Sequence, residues 1–247
     1  MSGILIISHI DADGVISAHL LSKFFQGASV YFPEWWKFAE PDIIPEVART
    51  YGTICVADLG TSKELLDKLV ELSANSKVYF FDHHQPEDIP PDKIIEYSSP
   101  SLKVFWSDKN CAAGLIYEYG LREELIDEKD EWSHAWAGIA VMADGFEDKE
   151  GGMKVIERCR SIVPWVFWNV AYRTRYGEDS YPFGAMISAY INAARRLAYH
   201  KGAYIALSAC RQIESAGASI IRNIIPTGDE LTNYMICLLY TSDAADE

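Results

Sequence analysis

The chain is poor in cysteine: five residues (Cys55, Cys111, Cys159, Cys210 and Cys237) in 247, with no CxxC pair and no zinc-ligand spacing. That excludes a disulfide scaffold and a thiolate zinc site, and it fits a reduced, cytoplasmic setting. Long apolar runs are also missing. The longest, residues 162–172, spans 11 residues and contains Pro164, against the roughly 20 a membrane helix needs. The opening MSGILIISHIDADG meets acids directly after a short apolar run, which does not fit a signal peptide. No internal repeat and no low-complexity linker occurs, so a globular chain with a sizeable core and no membrane partner is expected.

Positive charge is scarce overall, with 22 Lys and Arg against 36 Asp and Glu, net −14. Taken alone, this argues against a polyanionic partner. The charge is unevenly placed, however. Residues 1–153 carry −15, residues 154–211 carry +6, and residues 212–247 carry −5. A basic segment behind an acidic body needs a reason beyond solubility.

The first 100 residues alternate apolar runs with helical spacing, which predicts strand–helix–strand units and a largely parallel sheet. Strands are expected over residues 4–8, 29–32, 53–57, 77–81 and 94–97, and helices over 14–25 and, capped by Ser62, over 62–72. From Cys111 on the pattern is helical, over 111–119, 132–142, 153–172 with a break at Pro164, 184–198 and 203–225. The predicted fold class is α/β, a parallel sheet with helices on both faces followed by a helical segment.

Three of the apolar strands run into acids and histidines: His9-Ile10-Asp11-Ala12-Asp13-Gly14, Asp58-Leu59-Gly60 and Asp82-His83-His84. In open parallel sheets, ligands bind beyond the carboxyl ends of the strands, so the three clusters are expected in one crevice. Alternation along an extended segment would point His9, Asp11 and Asp13 to the same side. A fourth apolar run ends at Asp144-Gly145, with Asp148 a close competitor. Asp58 taken alone reads equally well as a helix cap. So many carboxylates together repel without cations, and mixed imidazole and carboxylate donors suit manganese, zinc or iron. Two such ions clamp a phosphate and activate water for phosphoester hydrolysis. His19, His134 and His200 lie on helical patterns and are read as non-ligands. The aromatic cluster from Trp165 to Tyr176 is read as core.

In this order, the HxDxDG, ADLG, DHH and ADG motifs resemble those of the DHH phosphoesterase superfamily over residues 1–225. That resemblance implies His9 and Asp11 as ligands of one manganese, and Asp13, His83 and Asp144 as ligands of a second. Asp58 is implied as the bridging carboxylate. Asp82 would orient a histidine and His84 would face the scissile phosphate, so that Asp58, Asp82 and His84 form the catalytic set. Two divalent ions, manganese ahead of magnesium, would activate the attacking water. Tyr190-Ile-Asn-Ala-Ala-Arg-Arg-Leu197 resembles the RecJ motif R-I-N-A-A-G-R-L and implies substrate-phosphate contacts from Asn192, Arg195 and Arg196. Its departures are Tyr190 for arginine and Arg195 for glycine. The motif lies in the basic segment, and a basic arm beside a metal-filled pocket suits a single strand threading toward the ions.

The expectation is therefore a manganese-dependent, RecJ-like exonuclease on single-stranded DNA or RNA, with replication or repair proteins as partners. Two alternatives stand beside it: a phosphodiesterase or phosphatase for short oligonucleotides, pAp or cyclic dinucleotides, and a non-catalytic member of a replication or repair complex. Three segments are expected: a catalytic metal-binding domain over 1–160, a helical extension over 161–226, and a non-native tail over 227–247. Superfamily members carry a glycine-rich C-terminal domain, and none follows residue 200. The tail from Cys237 resembles translated adapter sequence, so the chain reads as a catalytic portion cut before that domain.

Overall fold

The computed structural model describes residues 2–34, 39–174 and 177–216. Five parallel strands form the sheet in the order β2-β1-β3-β4-β5: β1 (Ile4–Ser8), β2 (Ser29–Tyr31), β3 (Thr53–Ala57), β4 (Lys77–Asp82) and β5 (Leu102–Trp106). Runs such as ILIIS and TICVA are rich in β-branched residues and buried on both faces, as a covered parallel sheet requires. Their side chains alternate between two cores. Ile6, Cys55, Ala57 and Phe81 face a large cluster shared with helices α1 (Ala12–Phe24), α4 (Ala112–Arg122), α5 (Glu131–Ala143), α6 (Glu150–Ile162) and α7 (Phe183–Ala216). Leu5, Ile7, Ile54, Val56, Val78 and Phe80 face a smaller one, closed by α2 (Lys63–Ser73) and the short helix α3 (Pro91–Ile94). The chain is thus α/β with helices on both faces of a parallel sheet. Because β1 and β3 are neighbours while β2 lies outside β1, the crossovers diverge at β1/β3 and open a crevice at their carboxyl ends.

Four local expectations are corrected. Residues 94–97 are not a strand. Pro90 and Pro91 start a helical turn instead, because proline is preset for the first helical position, and a 3-10 turn follows over Ile95–Tyr97. The fifth strand is Leu102–Trp106, whose alternation is masked by its partial exposure at the sheet edge. The helix expected over 153–172 stops at Ile162, because Pro164 begins a 3-10 turn. An antiparallel hairpin then follows, β6 (Asn169–Thr174) with β7 (Gly177–Pro182). A short apolar run does not distinguish a buried helix from a strand. Finally, the two helices expected over 184–198 and 203–225 are one, α7, continuous through Gly202. Ala203, Ala206, Leu207 and Cys210 repeat at helical spacing and are buried, which carries the helix past the glycine. The part of that expectation beyond Ala216, and the tail over 227–247, lie outside the described residues. Among the described residues no helix is long and apolar enough to cross a membrane.

Candidate metal centre

β1 delivers His9, and the chain then turns into α1 rather than staying extended, which corrects the alternation argument. Asp11 is the N-cap: its Oδ1 accepts from Gly14 N at 2.9 Å. Asp13 therefore sits in the first helical turn, where both its oxygens are engaged. They accept from Ala112 N at 2.8 Å and Ala113 N at 2.9 Å, so Asp13 caps α4, whose own cap residue, Cys111, makes no side-chain bond to the helix amides. Gly14 is required by close approach, since a Cβ there would lie 2.3 Å from the His9 carbonyl oxygen. Ser8 ties the turn to the neighbouring strand, its hydroxyl donating to Gly14 O at 2.7 Å and Ala57 O at 3.3 Å.

β3 ends at Asp58, whose φ of +59° lies in the left-handed region that Asp and Asn tolerate better than most residues. β4 ends at Asp82, fully buried, which organises the turn that follows. Asp82 Oδ2 accepts from Leu59 N at 2.9 Å, while Oδ1 accepts from His84 N at 2.8 Å and lies 2.9 Å from His84 Nδ1. Asp144 is the C-cap residue of α5, followed by Gly145 at φ +68°. Asp148, its competitor in the sequence, is exposed.

These residues meet in three overlapping groups with metal-binding geometry: His9–Asp11–Asp58, Asp13–His83–Asp144 and Asp58–His83–His84. His9 Nδ1 is 2.8 Å from Asp11 Oδ2 and 3.7 Å from Asp58 Oδ2. His83 Nε2 is 3.1 Å from Asp144 Oδ2, and its Nδ1 is 3.8 Å from Asp13 Oδ2 and 3.9 Å from Asp58 Oδ1. The His83 and His84 rings stack at 4.1 Å, and Phe146 packs edge-on against His83.

The electrostatics of the site call for cations. Burial, then the neighbouring carboxylates, push Asp58 and Asp13 well above the usual carboxylate range. Burial and then Asp11 raise Asp144 to about 6. His83 gives no compensating charge, because burial and then His84 lower it to about 4. Burial also works against the charge on Asp11, but His9 outweighs it and holds Asp11 below the ordinary range. Asp58 Oδ2, His83 Nδ1 and Asp144 Oδ2 are buried and make no hydrogen bond. Buried polar atoms are normally paired, so three such atoms around one crevice fit divalent ions.

The model of the DHH family, N-terminal domain, matches residues 3–143. The chain belongs to the DHH family. As a family, DHH proteins are metal-dependent phosphoesterases. The fold is shared with an exonuclease RecJ solved with bound manganese, at 16% identity and a TM-score of 0.53, over 92% of this chain and 66% of that one. It is shared too with an uncharacterized protein from Helicobacter pylori G27, at 16% identity and a TM-score of 0.58, over 97% of this chain and 62% of that one. The chain thus spans just under two thirds of the length of each. No curated protein matches it in sequence.

Of the RecJ-like motif, Asn192 meets the HxDxDG turn, its Oδ1 accepting from Ala12 N at 3.0 Å. Arg195 and Arg196 lie on α7, with side chains outside the described residues. Sequence reasoning missed Trp106, whose indole N–H donates to His84 O at 2.9 Å. Its signal was its place at the carboxyl end of a strand, and that strand was itself missed. The histidines read as non-ligands, His19 and His134, are buried within the helical layer, on Glu214 at 2.6 Å and Tyr117 at 2.6 Å. His200 lies outside the described side chains.

Proposed function

We propose that this chain is the catalytic portion of a manganese-dependent, RecJ-like exonuclease that cleaves phosphodiester bonds in single-stranded DNA or RNA. The observation that carries the reading is the convergence of His9, Asp11, Asp13, Asp58, His83 and Asp144 at one crevice, with Asp58 Oδ2 and His83 Nδ1 buried and without a hydrogen bond. His9, Asp11 and Asp58 would hold one ion, and Asp13, His83 and Asp144 the other, with Asp58 between them. Ions held there supply Lewis acidity toward phosphate oxygens and lower the pKa of water.

The chain's own residues do the rest. Asp82 fixes the His84 ring through Nδ1, so Nε2 is the atom offered to a phosphate oxygen. Burial opposes the imidazolium of His84, but the bond to Asp82 and its charge outweigh burial and raise the pKa, which suits a donor to an anion. Arg195 and Arg196 would contact the phosphates that follow the scissile one, in the segment of net charge +6 over residues 154–211.

Product analysis on 5′- and 3′-labelled single strands with manganese tests the reading. Mononucleotides released stepwise from one end are expected. Preference for a labelled dinucleotide over a 20-mer would overturn the exonuclease assignment in favour of a short-oligonucleotide phosphodiesterase. Asp58→Asn is expected to lower the rate by at least about 100-fold, more than loss of an outer-sphere partner costs.

A further inference from the structure

We propose that Asn192 is a positioning residue that locks the metal-binding turn by capping α1 from outside. The inference rests on the metal reading above. Helix α1 begins at Ala12, and its first amides have no partners within the helix. One of them is served locally, since Asp11 Oδ1 accepts from Gly14 N at 2.9 Å, while the Asp11 carbonyl takes the first regular helical bond, from Val15 N at 2.9 Å. The Ala12 amide is served from 180 positions away, by Asn192 Oδ1 at 3.0 Å.

Ala12 is buried, and it stands between two carboxylates that belong to different ligand groups, Asp11 with His9 and Asp58, Asp13 with His83 and Asp144. A hydrogen bond at that amide therefore fixes the peptide from which both groups are hung. Its acceptor sits on a firm support. The residues on either side of Asn192, Ile191 and Ala193, are buried in the helical core. With Oδ1 spent on Ala12, the positioning role rests on the acceptor oxygen alone, and the Nδ2 donors take no part in it. Aspartate can replace asparagine as that acceptor.

The test compares wild type, Asn192→Ala and Asn192→Asp in the full chain. Manganese binding is followed by the electron paramagnetic resonance of free Mn2+, and hydrogen exchange of the Ala12 amide is measured in metal-free protein. In Asn192→Ala, Mn2+ affinity is expected to fall 10- to 100-fold, the usual effect of losing a partner that orients ligands, and exchange at Ala12 to accelerate. In Asn192→Asp both are expected close to wild type. Wild-type Mn2+ affinity and exchange in Asn192→Ala would overturn the proposal. So would an aspartate variant that loses Mn2+ affinity and protection at Ala12 as fully as the alanine variant. Failure of the wild type to bind Mn2+ would instead overturn the metal reading, with Ala12 exchange still deciding whether Asn192 is the cap.

Discussion

At residue 58 the backbone takes φ +59° and carries a carboxylate only 1% exposed into a ring of other acids. Its pKa is raised by burial first and then by Asp11, Asp13, Asp82 and Asp144. A carboxyl with a raised folded-state pKa costs stability once pH rises above its unfolded value, so at neutral pH Asp58 is a burden on the metal-free fold. Asparagine keeps the shape, tolerates the same backbone region and removes the charge. Asp58→Asn is thus expected to raise the melting temperature of the metal-free protein. Manganese should then add little, whereas at 100-fold over its Kd it would stabilise wild type by about 2.7 kcal/mol, or roughly 5–10 °C for a chain of this size. Thermal melts with manganese and with chelator measure both effects. A mutant that is no more stable without metal, or that keeps the full manganese shift, refutes the argument. The meeting of these acids and histidines was legible in the sequence, because residues that follow parallel strands converge at one end of the sheet. What was not legible was the second duty of Asp13 as the cap of α4, nor why position 14 must be glycine. Both depend on approaches between segments that spacing does not encode.

Among the elements, α7 departs furthest from expectation, one helix where two were expected over 184–198 and 203–225, and it reaches α1 at two places. Besides Asn192 on Ala12, Glu214 binds His19 Nε2 at 2.6 Å and Lys23 Nζ at 2.6 Å, and Lys23 in turn meets Asp130 at 2.9 Å. Burial works against charge on Glu214, but its bonds to His19 and Lys23 outweigh that and hold its pKa at about 2. A depressed carboxylate pKa stabilises the fold above the unfolded value near 4.5, and that stability is lost as pH falls from there toward 2. Glu214→Gln is expected to cost on the order of 2 kcal/mol at pH 7, with the deficit shrinking steadily below pH 4.5. Urea unfolding at several pH values reads this directly, and a deficit that does not vary with pH would falsify the ion-pair account. Strands β1, β3 and β4 were readable because a fully buried parallel strand is a continuous apolar run. Strand β5 and the β6–β7 hairpin were not. One is a partly exposed edge and the other follows a proline turn, and neither leaves a run of the kind that marked the central strands.

For the molecule as a whole, net charge and its distribution point in opposite directions. The −14 of the chain arises largely from the acidic residues 1–153, among them the carboxylates of the metal centre, while residues 154–211 carry +6. A polyanion approaching such a surface is repelled by the body and attracted along the basic segment, so binding should depend on the ions in the centre and on salt together. Calcium in place of manganese gives a way to measure binding of a dT 20-mer without turnover. Affinity for single strands falls with salt with a slope of about −0.7 per phosphate neutralised. Arg196→Ala is expected to weaken binding across all sequences and to flatten that slope by about 0.7, with no change in base preference. Chelating the ions should weaken binding further in both proteins, because the bare carboxylates then face the scissile phosphate. An Arg196 variant whose slope equals that of wild type would place the phosphate contacts elsewhere on the basic segment. Undiminished binding after chelation would mean that the strand does not enter the crevice formed by β1, β3 and β4.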